Sequence, residues 1–138
     1  MSVPCLTPQE AAMLAVSIPL DYVRRGGSLA WAALAGRQVF ETLAHHPRRD
    51  VLDRVSGTRF FYHAHPVAGD AQEEHGHFHL FHEDADGFSH LAALSLDGQG
   101  RPLRWFCTNQ WVTGESWRVA AHWRKALEAF QVQTQGRL

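Results

Sequence analysis

Near residue 58 the spacing of apolar positions changes from about 3.6 residues to two, so the chain is predicted to run through helices first and strands afterwards. Thr7-Pro8-Gln9-Glu10 offers a hydroxyl cap, a proline at the first helical position and a glutamate that completes a capping box, so a helix starts there. It continues through Ala11, Met13, Leu14 and Val16. Pro19 is expected to kink or end it, and Arg24-Arg25-Gly26-Gly27 closes the region. Ser28 caps a second helix whose stripe is Trp31, Leu34, Val39, Phe40 and Leu43, stopped by His45-His46-Pro47. Arg48 to Gly57 reads as a short basic connector.

Four strands are then predicted: Thr58 to His65, Glu74 to His82, Ser89 to Leu96 and Leu103 to Gln110. Asp86-Gly87 and Asp97-Gly98-Gln99-Gly100 tolerate the positive φ of tight turns, so consecutive strands pair antiparallel. Trp117, Val119, Ala120, Trp123, Ala126, Leu127 and Phe130 complete the pattern with an amphipathic helix. The expected fold class is α+β: a four-stranded antiparallel meander with two N-terminal helices and one C-terminal helix packed on one face. A single domain covers 1–138, with a helical region 7–46, a sheet 58–110 and a last helix 114–131.

Composition narrows the function. A formal net charge of -1, with basic residues scattered, provides little field for phosphates, so nucleic acid is not an expected partner. The apolar runs fall far short of the roughly 18 to 20 residues that span a bilayer, and Met1 to Cys5 lacks a secretory pattern, so the expected location is the cytoplasm. Cys5 and Cys107 cannot build a disulfide framework; Cys107 reads as a buried small hydrophobe. No glycine-rich phosphate loop, His-Glu-x-x-His helix or Gly-x-Ser-x-Gly elbow is present.

Histidine is the exception to an ordinary composition, with 10 residues, seven of them between His63 and His90. On a strand alternate residues share a face, so His63 and His65 project together, as do His75, His77 and His79. A register in which paired residue numbers sum to 140 sets His65 against His75 and His63 against His77. It leaves Phe60, Tyr62, Phe78 and Leu80 to face the helices. Strand spacings of about 4.8 Å let such rings converge on one ion with bonds of about 2.0 to 2.1 Å.

Neutral imidazole favours iron, copper, zinc and nickel. The expected metal ligands are therefore His63, His65, His75, His77 and His79, holding iron, copper or zinc. Glu74 and Tyr62 stand beside them as candidate catalytic groups, and Asp70 and Glu73 are further carboxylates. His82 and His90 are weaker candidates, and His45, His46 and His122 read as helix-end or surface residues.

Three readings follow. The first is a metal-dependent enzyme acting on a small-molecule substrate, oxidative with iron or copper and water-activating with zinc. Phe61, Tyr62, Phe78 and Phe81 suit an apolar substrate and tilt this reading toward an oxidoreductase. The second is a metal-binding or sensing protein without catalysis. The third is a metal-free small-molecule binding module. Strand histidines also pair with carboxylates or backbone without any metal, although several neighbouring imidazoles would repel one another once protonated. Between the last strand and the last helix, Trp105, Trp111 and Trp117 read as core aromatics, and Thr113 with Glu115 as helix-start chemistry.

Phe61-Tyr62-His63-Ala64-His65-Pro66, Glu74-His75-Gly76-His77-Phe78-His79 and Thr108-Asn109-Gln110-Trp111-Val112-Thr113-Gly114-Glu115 together resemble a family of uncharacterised bacterial proteins known as a domain of unknown function. The likeness covers roughly the last two thirds of the chain. It implies a shared site and transfers no mechanism. The His-x-His spacing is also similar to that of cupins, from which the chain departs in its later acidic residues and its helical first third.

Overall fold

The computed structural model describes residues 6–35, 41–64 and 73–132. His65, Asp70, Val39, Phe40 and Cys5 lie outside them. The element order is α1 (Pro8–Arg24), α2 (Leu29–Ala33), β1 (His46–Asp53), β2 (Thr58–Ala64), β3 (Glu74–Asp84), β4 (Gly87–Asp97), β5 (Pro102–Phe106), α3 (Gln110–Thr113) and α4 (Ala120–Glu128).

The expected capping box forms: Glu10 N–H donates to Thr7 Oγ1 at 3.3 Å, and Thr7 N–H donates to Glu10 Oε2 at 2.8 Å. Pro19 does not stop α1, which continues to Arg24 and closes where Arg25 N–H bonds back to Asp21 and Tyr22. An exposed helix tolerates the lost hydrogen bond because water can reach the freed carbonyl. The second helix is much shorter than expected. Ser28 caps it, yet Ala35 turns left-handed at φ 52° and the helix is over before Leu43, which is exposed.

The strands form one antiparallel meander in the order β1-β2-β3-β4-β5. Four strands were expected and five are present, because the basic connector contains β1. An edge strand is hydrogen-bonded on one side only and carries proline and charge to discourage further pairing, so His46-Pro47-Arg48-Arg49 hides it from any apolar alternation. The described helices likewise number four rather than three. The expected last helix divides into α3, ended by Gly114 in the left-handed region, and α4, with irregular chain between.

β2 and β3 pair in the expected register, His63 opposite His77 and Tyr62 opposite Phe78, which gives the sheet two unlike faces. On one face Tyr62, Ala64 and Leu96 pack with Ala33 and Leu34 around α2, joined by Leu29, Phe78 and Leu94. On the same face near β4, His122 of α4 meets Ser89. The opposite face carries His63, His77 and His79. Trp105, Trp111 and Trp117 are not core: they are 63%, 79% and 82% exposed. β5 is the outer edge strand, and the segment after it is held through polar side chains, Glu115 on His90 N–H and Arg118 on the Asp86 carbonyl, which leaves the indoles outside. Cys107 is exposed too.

Gly76 ties the two faces together. A Cβ there would sit 2.1 Å from the His63 carbonyl oxygen and 2.7 Å from the Tyr62 ring, so only glycine lets β2 and β3 close at this point. Gly76→Ala is expected to destabilise the protein by about 1–3 kcal/mol or more, as overpacking does, read as a lower midpoint in urea with unchanged slope. A midpoint equal to that of the parent chain would contradict this account.

Candidate functional site

Cross-strand pairing sets His63 against His77, and His79 follows two residues along β3 on the same face. Ring centroids stand 5.8 Å apart for His63–His77, 5.3 Å for His63–His79 and 4.7 Å for His77–His79. One nitrogen of each ring lies within 4.8 Å of the other two, and the three could hold a metal ion. Bonds of about 2.0 to 2.1 Å would draw the nitrogens to roughly 3.3 Å apart, a closure on the order of an ångström that side-chain torsions supply.

The ring orientations suit that use. His77 Nδ1–H donates to Glu74 Oε1 at 2.7 Å, which leaves Nε2 as its lone-pair nitrogen. The buried Glu74 also accepts from Ser95 Oγ at 2.5 Å and stands 3.3 Å from Arg104 Nη2. His79 Nδ1 and His90 Nε2 are 2.9 Å apart, and His90 Nδ1 lies 3.2 Å from Thr108 Oγ1. With both rings neutral, His79 Nδ1–H donates to His90, whose own Nδ1–H donates to Thr108, and His79 Nε2 keeps its lone pair.

Burial, together with His77, His90, His63 and His45, pushes His79 down to about 3. His90 is also lowered, by burial and His77, against the opposing pull of Glu115. His79 is therefore neutral across the physiological range, the form that binds metals.

His75 does not join this group, and the cause is a β-bulge. Glu74 pairs with Asp97 but Gly76 pairs with Leu96, so β3 carries one extra residue, His75. The bulge exchanges the faces expected from alternation. Glu74 comes to the histidine side, and His75 goes to the other, where its Nδ1 is hydrogen-bonded to the Tyr62 hydroxyl at 2.9 Å. Tyr62 itself is fully buried in the helix-covered core, and burial, with the charges of Glu74 and Asp97, raises its pKa, so it stays a neutral phenol away from the triad. His65 lies outside the described residues.

Several participants escaped the alternation pattern. His45, expected at a helix end, stacks on Phe61 with centroids 3.7 Å apart, and its Nδ1 is 2.6 Å from Asp50 Oδ1. His90 reaches the site because Leu91 forms a second bulge, between the pairs Leu80↔Ala92 and Phe81↔His90. The adjacency of His45 to His46-Pro47 was the only available signal for the first, and nothing local marks the second. His46 is buried in β1 rather than exposed.

Beside the triad lies a cavity of about 360 Å³ lined by His45, Asp50, Arg59, Phe61, His63, His79, Phe81, Phe88, Val112 and Thr113. Two triad members thus border a space walled mainly by aromatic rings, and α3 contributes one side. Thr113 Oγ1 donates to Glu115 Oε1 at 2.8 Å, and Glu115 Oε2 accepts from His90 N–H at 2.6 Å, so Glu115 anchors this segment to the sheet. Asn109 caps α3 through Trp111 N–H.

A second constellation has a different character. Ser89 Oγ lies 2.9 Å from His122 Nε2, and His122 Nδ1 lies 3.9 Å from Asp84. The residue types suggest nucleophilic catalysis, but Ser89 is 1% exposed, so no substrate reaches it and the contact docks α4 instead.

Among the described residues, no helix is long and apolar enough to cross a membrane. No curated protein and no solved structure matches the chain. The family described as Domain of unknown function (DUF6969) matches residues 9–137, almost the whole length, and the chain belongs to that family.

Proposed function

We propose that this protein is a metal-dependent enzyme in which His63, His77 and His79 hold one transition-metal ion beside the cavity, where a small organic molecule reacts. The observation that carries the reading is the coincidence of a three-imidazole cluster with a cavity bordered by two of its members. Three protein ligands leave further positions open for chemistry, whereas a structural site closes with four. Glu74 fixes the tautomer of His77, and His90 with Thr108 fixes that of His79. Preset rings avoid the cost of ordering them at binding.

Iron or copper in such a place supplies oxidation by dioxygen, and zinc supplies water activation. Phe61, Phe81, Phe88 and Val112 favour the first, because apolar walls exclude the water that hydrolysis consumes. Elemental analysis of protein purified without a histidine tag tests the reading. One equivalent of iron, copper or zinc per chain is expected, and less than a tenth of an equivalent, with no uptake on titration, would remove it.

A further inference from the structure

We infer that the cavity beside the triad accepts a small aromatic acid, its ring among Phe61, Phe81 and Phe88 and its carboxylate on Arg59. The inference deepens the proposed function and rests on it for the charge at the reacting end.

Size comes first. Small-molecule sites span about 300–1,000 Å³, and 360 Å³ lies near the lower limit, which suits a molecule of one ring. The walls suit a flat one. Phe61 and Phe81 stack with centroids 5.6 Å apart, Phe88 meets Phe81 edge-on at 5.8 Å, and His45 covers Phe61 at an interplanar angle of 8°. Aromatic side chains therefore make up much of the wall, with which an aromatic guest can stack or pack edge-on.

Arg59 sets the polarity. Its guanidinium carbon stands 5.0 Å from the Phe81 centroid and 4.9 Å from that of Phe88, which holds its plane against the aromatic wall. The neighbouring carboxylates are too distant for good hydrogen bonds, Asp50 at 3.8 Å and Glu83 at 3.6 Å. Asp50 Oδ1 is engaged by His45 at 2.6 Å. The buried Nε of Arg59 has no hydrogen-bond partner among the described residues. Those two acids offset its charge from a distance without using its fork of donors, and a planar carboxylate uses that fork bidentately. Beyond it, an ion held by three neutral imidazoles keeps its full positive charge, so the metal end of the cavity also favours an anion.

Calorimetric titration of the metal-loaded full chain with benzoate, benzyl alcohol and benzylamine tests this. Benzoate is expected to bind at least about tenfold more tightly than either neutral or cationic analogue. Arg59→Gln should remove most of the advantage of benzoate over benzyl alcohol while metal content stays unchanged, and Arg59→Lys, which keeps the charge but not the fork, should recover only part. Equal binding of benzoate and benzyl alcohol to the parent chain overturns the inference even if neither variant folds, and so does benzoate binding that ignores Arg59→Gln. The two readings fail separately. A metal-loaded chain indifferent to benzoate sinks this inference alone. A chain that takes up no metal sinks the proposed function, and the Arg59-dependent preference measured on that chain then judges the aromatic-acid assignment by itself.

Discussion

His77→Ala is expected to weaken metal binding by well over 100-fold, Glu74→Ala by about 10–100-fold, and His75→Ala not at all. The ranking follows from the positions of the three side chains on β3. His77 would lose a donor nitrogen outright and leave two imidazoles, too few to hold a first-row ion against cellular chelators. Glu74 acts on the site through His77 Nδ1 at 2.7 Å, so its removal frees the ring to rotate and lowers its basicity, an effect of the size that orienting partners usually carry. Glu74→Gln keeps an acceptor for the same N–H and should restore part of the loss. His75 lies between the two in sequence, but its ring is on the far face with Tyr62. Competition against chelators of graded affinity gives the dissociation constants, and circular dichroism checks that each variant is folded. If His75→Ala and His77→Ala weaken binding equally, the assignment of faces is wrong.

That contrast marks the limit of what alternation along the chain reveals. Phe60, Tyr62, Phe78 and Leu80 share parity, so placing them on one face requires pairs whose numbers sum to an even value, and the observed sum of 140 is such a register. The pairing of His63 with His77 was therefore legible, as was the meander, from its Asp-Gly turns. The side on which Glu74 and His75 lie was not. A bulge is fixed by how β3 meets β4, some twenty residues later, and one extra residue reverses the parity of everything before it. His90 was hidden for the same reason, by the extra residue Leu91. His45 was obscured because β1 lacks the apolar alternation of a central strand, so the chain leading into it read as a connector. The exposed tryptophans misled in the opposite sense: large aromatic side chains are usually buried, but an edge strand and a four-residue helix have too little surface to cover them.

The metal-free protein is expected to lose stability as the pH falls from about 6.5 toward 3, and His79 is the main cause. In the unfolded chain its imidazole titrates near 6.5, whereas in the folded chain burial and the surrounding histidines hold it down at about 3. Between those values the unfolded state takes up a proton that the folded state refuses. This contribution is therefore complete above 6.5 and is lost progressively on acidification. His90, lowered by its own burial, acts in the same direction. Asp97 adds a later loss. Burial pushes its carboxyl up, but hydrogen bonds from Arg101 and Gln99 and the charge of Arg101 outweigh that and hold it below the ordinary 3.8, so its stabilisation disappears only as the pH drops beneath that value.

Discounted for residual solvent screening, the His79 effect amounts to on the order of 1–2 kcal/mol by pH 4.5, or roughly 5 °C in melting temperature. His79→Gln cannot titrate and should flatten most of that slope while leaving the Asp97 decline in place. Thermal melts of chelator-treated parent and variant from pH 7.5 to 2.5 separate the two contributions. A parent melting temperature that holds constant from 6.5 to 4.5 would mean that His79 is hydrated in solution, and the tightly packed cluster on which the metal reading depends would go with it.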